Sequence, residues 1–103
     1  MITAPSLAGI ERLIYMPQEL PLDHPDSSWR FRSPLVATPT AVEEFGIETI
    51  SAHYRLLGEK AARHTGLDYL QVFRDATHPN RRLWFIEDDG EEAHVTALLP
   101  NDY

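Results

Sequence analysis

The chain has 103 residues, of which 43% are hydrophobic, and a formal net charge of −7. A chain of this length buries one core without disulfides or metals, so we expect a single domain over residues 1–103. It has no cysteine, which excludes disulfides and thiolate chemistry and agrees with a reducing cytoplasm, the predicted compartment. The apolar start lacks a cationic region and ends at Glu11, so we expect neither export nor membrane insertion.

The first 39 residues contain six of the eight prolines, which disfavour helix interiors and central strands. We therefore predict an extended, proline-rich N-terminal arm over residues 1–39. A short helix capped by Ser6 and ending before Pro17 is predicted from four apolar residues at helical spacing: Leu7, Ile10, Leu13 and Ile14. The segment Trp29–Val36 predicts an edge strand beside the main sheet.

The next segment, residues 40–66, predicts one long helix over about residues 41–64. Thr40 begins it, with Glu43 three residues later as a capping box, and Gly66 ends it. Five apolar residues form one stripe along it: Ile47, Ile50, Tyr54, Leu57 and Ala61. Two glycines are the positions at which this helix is expected to weaken or kink: Gly46 and Gly58.

After Gly66 the apolar period changes to two, which predicts three strands in residues 68–103. They are Asp68–Phe73, Arg82–Glu87 and His94–Leu99. Asp89 and Gly90 indicate a tight two-residue turn between the last two strands. The predicted fold is α+β: one long helix packed on a three-stranded antiparallel meander, with the extended proline-rich arm over it.

The two-residue turn also predicts which side chains share a face, because it places Trp84 opposite Val95. One face then packs on the helix and carries Trp84, Ile86, Ala93, Val95, Ala97 and Leu99. The opposite face carries Leu83, Phe85 and Leu98 among the polar residues Glu87, Glu92, His94 and Thr96. That face is too apolar to be bare, so we expect it to be half-covered or to bind something.

Three segments of the last third are similar to a known family: Asp68-Tyr-Leu-Gln-Val-Phe73, Leu83-Trp-Phe-Ile-Glu-Asp-Asp-Gly90 and Leu98-Leu-Pro-Asn-Asp-Tyr103. They resemble parts of small uncharacterised proteins, a domain of unknown function found in Gram-positive bacteria and their phages. The resemblance implies the setting of a mobile genetic element and no particular activity.

No motif of catalysis or metal binding is present. His53 and His64 lie about 16 Å apart on the predicted helix and cannot share an ion, so we interpret them as surface or boundary residues. Asp23, His24 and Asp26 have oxygen and nitrogen ligands, but their composition is that of an ordinary solvated loop. A nucleophile elbow and a phosphate-binding loop are missing. We predict no catalytic residue, no metal site and no cofactor.

The acidity is concentrated at one end, because residues 83–103 contain six acidic side chains and no lysine or arginine. Direct binding of nucleic acid is therefore disfavoured. The predicted function is a small non-enzymatic protein that binds a basic protein surface through the acidic hairpin and the neighbouring sheet face. Its candidate residues are Asp88, Asp89, Glu91, Glu92, Phe85 and His94. Equally open is a homodimer that forms through an exposed strand edge or through the face of Leu83, Phe85 and Leu98. Two alternatives stay open: a merely solvated hairpin tip, and a small-molecule or metal-binding domain, possibly enzymatic, using His94 or His24.

Overall fold

The computed structural model describes residues 13–103. Its strands are β1 (Leu13–Met16), β2 (Leu35–Ala37), β3 (Leu70–Asp75), β4 (Arg82–Glu87) and β5 (Val95–Leu98). Its helices are α1 (Pro39–Phe45) and α2 (Ile47–Ala62), and a 3₁₀ turn spans Pro100–Asp102.

The five strands form one mixed sheet in the order β1-β3-β4-β5-β2. β2 runs parallel to β5, and the other neighbouring strands are antiparallel. The class α+β is therefore confirmed, but the prediction of one long helix on a three-stranded antiparallel meander is wrong. The sheet is larger because two pieces of the predicted arm pair with its edges.

The helical segment is divided at Gly46, whose φ of 86° is incompatible with a continuous helix. The first helix begins earlier than predicted, because Thr38 and not Thr40 is its cap. The hydroxyl of Thr38 accepts a hydrogen bond from the amide of Ala41 at 3.2 Å, and Pro39 takes the first helical position. Gly66 is not the C-cap, since α2 ends at Ala62 and Arg63 is its C-cap.

One side of α2 packs on the sheet through Thr49, Ile50, His53, Leu57 and Ala61. Ile47, predicted in this stripe, is 54% exposed. His53 is buried and was wrongly assigned to the surface or boundary. Its ring packs edge-on against the ring of Phe73, with the ring centroids 4.8 Å apart, and its Nδ1 lies 2.7 Å from the carbonyl oxygen of Thr49.

The arm follows a different path from the one predicted. The predicted helix before Pro17 lies, up to residue 12, outside the residues that the structure describes. Its last two apolar residues, Leu13 and Ile14, belong to β1. The predicted edge strand at 29–36 is interrupted because Phe31 has a φ of 53° and its side chain enters the core. Only its end, from Leu35, pairs with the sheet.

A close contact between the arm and the α2–β3 connection requires glycine at position 66. Trp29 and Leu67 exchange two backbone hydrogen bonds of 2.9 and 2.8 Å. Gly66, with a φ of 143°, lies so near that a Cβ there would be 2.5 Å from the carbonyl carbon of Ser28. A side chain at this position would displace the arm.

Gly66→Ala should therefore destabilise the protein more than Gly46→Ala. Both substitutions carry the conformational cost of a positive φ, about 1–3 kcal/mol, but a Cβ at Gly46 would meet nothing within 4 Å. Urea unfolding of the two variants separates the steric contribution from the conformational one. Equal losses of unfolding free energy would show that the contact with Ser28 is unimportant.

Asp75, at the end of β3, organises the turn into β4. Its Oδ1 accepts hydrogen bonds from the amide of Thr77 at 2.7 Å, the hydroxyl of Thr77 at 2.9 Å and the amide of His78 at 3.0 Å. Its Oδ2 accepts one from Arg81 at 2.9 Å. These hydrogen bonds hold the pKa of Asp75 well below its usual range, and the bond from the Thr77 amide has the largest effect.

Asp75→Asn should flatten the dependence of stability on pH. Since the folded pKa lies below the unfolded value of about 3.9, the carboxylate stabilises the fold above that pH and ceases to do so as the pH falls. We expect the native chain to lose unfolding free energy more steeply than the variant between about pH 5 and pH 2. Urea unfolding over a pH series measures this, with Glu43→Gln, an exposed carboxylate of α1, as control. Parallel curves for the native chain and Asp75→Asn would contradict the assignment.

Candidate protein-binding surface

The β4–β5 hairpin has a longer loop than the Asp89-Gly90 signal predicted. The amide of Asp88 donates to the carbonyl of His94 at 3.1 Å, and the amide of His94 donates to Oδ1 of Asp88 at 2.9 Å. Five residues thus lie between this closing pair. We call residues 88–93 the acidic loop.

The longer loop changes the strand register, so that Trp84 lies opposite Leu98 and not opposite Val95. This shift by an odd number of residues reverses the faces of β4 relative to the prediction. Leu83 and Phe85, expected on the outer face, have no exposed surface. Trp84 and Ile86, expected in the core, lie on the other face, while Val95 and Ala97 are buried as predicted.

Glu87 does not belong to the exposed acidic cluster, because its side chain points to the helix side of the sheet and is only 6% exposed. Its two carboxylate oxygens accept hydrogen bonds from the amides of Phe31 at 2.7 Å and Ser33 at 3.2 Å. The hydroxyl of Tyr54 on α2 donates to the carbonyl of Ser33 at 2.6 Å. Burial raises the pKa of Tyr54, and the nearby Glu87 charge raises it further. Glu87 therefore fastens the arm to the sheet.

The four acidic candidates Asp88, Asp89, Glu91 and Glu92 are all exposed. None of them forms an ion pair within residues 13–103. His94 is half-buried at the base of the loop, next to Asp88. Phe85 is separated from this group, since it is completely buried and offers no surface to a partner. The structure thus places five of the six candidates together.

The side of the sheet that faces away from α1 and α2 is apolar, and sequence reasoning wrongly placed two of its residues, Trp84 and Ile86, on the helix side. We call it the open face. Its main side chains are Met16, Leu70, Val72, Trp84, Ile86 and Leu98. They alternate with the residues that pack against the helices, and neither helix contributes to this face. The signal that could have found it is β4 itself, Arg82-Leu-Trp-Phe-Ile-Glu87, which is apolar on both faces.

Trp84 of the open face is one of a pair of aromatic residues. Trp84 and Tyr103 pack edge to face with ring centroids 5.8 Å apart. Tyr103 is 80% exposed, so a large aromatic surface stands in solvent. The Nε1 of Trp84 is buried and has no hydrogen-bond acceptor among the described residues. Aromatic residues of this kind are enriched where proteins bind other proteins.

The end of the open face beside the β3–β4 turn, away from the acidic loop, is basic. Arg74 and Arg82 are directly opposed in the β3–β4 pair, and both are half-buried. Their guanidinium groups donate to the backbone carbonyls of Asp75 at 3.3 Å and Pro79 at 3.2 Å. Neither forms an ion pair with a carboxylate within residues 13–103. Like charges directly opposed in a sheet repel each other, so this end attracts anionic groups.

The histidines considered for metal binding are dispersed. His64 pairs with Asp23 at 3.5 Å, whereas His24 accepts a hydrogen bond from the amide of Asp26 at 3.0 Å. Within the described range 13–103, no group of three or more histidine or acidic side chains is arranged to hold a metal ion. Asp23, His24 and Asp26 therefore form no metal site of this kind.

A cleft of about 470 Å³ lies between the end of α1, the β3–β4 turn and the 3₁₀ turn. Its central side chain, Arg81, donates through Nη1 to Asp75 and through Nε to Glu44, and its guanidinium lies 4.2 Å from the ring centre of Phe45. These contacts join α1 to the sheet.

No helix in residues 13–103 combines the length and the hydropathy needed to cross a bilayer. Comparison with models of protein families, with curated proteins and with solved structures finds no match for this chain.

Replacing Glu87 by glutamine should destabilise the fold, because only one amide oxygen remains to accept from the amides of Phe31 and Ser33. We expect a loss of about 1–3 kcal/mol in unfolding free energy. Glu91→Gln, the matched change in the acidic loop, should alter it by less than about 0.5 kcal/mol. Urea unfolding compares the two. Similar small effects would place Glu87 among the exposed acids after all.

Proposed function

We propose that this protein is a small, acidic, non-enzymatic binding protein that engages a basic surface of a protein partner. It binds through the acidic loop and the adjoining part of the open face. The observation that carries the proposal is the continuity of these two features. An apolar sheet face that carries Trp84, with Tyr103 packed against it, continues into a loop of exposed carboxylates that form no ion pair within residues 13–103.

This combination matches the anatomy of protein-binding surfaces. Their centres are apolar and rich in aromatic residues, and charged residues lie at the rim, where they orient the partner and accelerate its approach. Trp84 and Ile86 supply the apolar centre, and Asp89, Glu91 and Glu92 supply the rim. Negative charge on the rim selects a positively charged surface.

Two further features belong to the proposal. The resemblance of the last third of the chain implies the setting of a mobile genetic element, so the proposal includes that this is an accessory protein of such an element. The absence of cysteine supports the cytoplasm as the site of action.

Neutralising the acidic loop should abolish partner binding while leaving the fold intact. The test variant carries Asp89→Asn, Glu91→Gln and Glu92→Gln, and retains Asp88 because that residue closes the loop. We expect proteins captured by the native chain at low salt to be basic and to be lost from this variant. Mass spectrometry of the captured proteins, followed by titration of the purified partner, measures the change.

A matched control has the same net charge as the test variant, because three exposed helix carboxylates are neutralised in place of those of the acidic loop: Glu43→Gln, Glu48→Gln and Glu59→Gln. This control should still bind the partner. Equal binding by all three proteins would refute a role for the acidic loop. Equal loss in both variants would show that net charge alone, and not this surface, drives the capture.

A further inference from the structure

The open face carries opposite charges at its two ends. Arg74 and Arg82 lie at the end beside the β3–β4 turn, and the acidic loop lies at the other end of β4. With a rise of about 3.4 Å for each residue, the six steps along the strand from Arg82 to Asp88 separate the two ends by roughly 20 Å. Between them lie the apolar side chains centred on Trp84.

Such a face is complementary to its own copy when one copy is reversed. We propose that two copies of this chain associate through their open faces with the β4 strands antiparallel. The Arg74–Arg82 pair of each copy then meets the acidic loop of the other. This inference rests on the proposed function and specifies its basic partner: the arginine end of a second copy.

A two-fold axis between the sheets generates both charge contacts at once, as in most homodimers. Each contact joins groups that lack an ion-pair partner within residues 13–103 of one copy. The arrangement relieves the repulsion between Arg74 and Arg82 as well as that within the acidic loop. The apolar centres of the two copies also pack against each other, with the sheets about 10 Å apart, and are thereby removed from water.

The size of the face predicts the strength of the association. Strands about 4.8 Å apart and about 3.4 Å per residue give a face of roughly 20 by 20 Å. Two such faces bury on the order of 800 Å², below the roughly 1,200–2,000 Å² of stable complexes. We therefore expect a reversible, concentration-dependent dimer with a dissociation constant in the micromolar range and a clear dependence on salt.

Charge exchange between two variants tests the inference. One variant carries Arg74→Glu and Arg82→Glu and is acidic at both ends of the face. The other carries Asp89→Lys, Glu91→Lys and Glu92→Lys and is basic at both ends. Sedimentation velocity should show that each self-associates at least about tenfold more weakly than the native chain, and that an equimolar mixture forms a one-to-one dimer.

Two controls accompany this test. Thermal unfolding of each variant establishes that it is folded, and Arg74→Gln with Arg82→Gln is the milder replacement if the glutamates prevent folding; it too should weaken self-association. A charge reversal on the helices, Glu43→Lys, Glu48→Lys and Glu59→Lys, should leave self-association within about threefold of native, because these residues lie away from the open face.

Three results would overturn the inference: a native chain that stays monomeric into the high micromolar range, folded variants that remain monomeric when mixed, or a dimer unaffected by either charge exchange. A monomeric native chain that still captures a basic protein through the acidic loop leaves the proposed function standing. A monomeric native chain that captures proteins equally well with and without the charges of the acidic loop overturns both this inference and the proposed function.

Discussion

The buried carboxylate of Glu87 is the contact through which the parts of this fold are held together. It lies at the end of β4 on the helix side and accepts the amide hydrogens of Phe31 and Ser33, so it fixes an arm that has no regular structure of its own there. With the arm in place, Phe31 fills the core and Tyr54 of α2 reaches the carbonyl of Ser33. A few residues later β2 enters the sheet beside β5. Arm, helix and sheet thus meet at one side chain.

That same residue shows how far sequence reasoning reached. β4 was predicted with its observed bounds because its composition is strongly strand-forming, and β3 and β5 were displaced by only one or two residues. The acidic loop was found as an exposed cluster. Glu87 was placed with Glu92 on the outer face, however, because a stretch of acidic residues does not reveal which carboxylate turns inward to meet backbone amides distant in sequence.

The remaining differences have two physical causes. The hydrogen bonds between Asp88 and His94 determine the register of β4 against β5, and the Asp89-Gly90 sequence does not reveal this pairing. The observed register differs from the predicted one by an odd number of residues, which exchanges the two faces of β4. The edges of the sheet depend on pairings between distant residues, such as Leu13 with Asp75, which periodicity cannot detect. Trp84 and Ile86 of the open face were therefore assigned to the core, although the apolar residues on both sides of β4 already indicated a strand with two surfaces to cover.

The parallel pairing of β2 with β5 has a consequence for biosynthesis. Residues 35–37 leave the ribosome long before residues 95–97, the strand with which they pair. Until β5 has emerged, residues 35–37 have no place at the edge of the sheet, and until Glu87 has emerged, Phe31 and Ser33 lack the carboxylate that holds them. The sheet is therefore completed only after both of these segments have been synthesised.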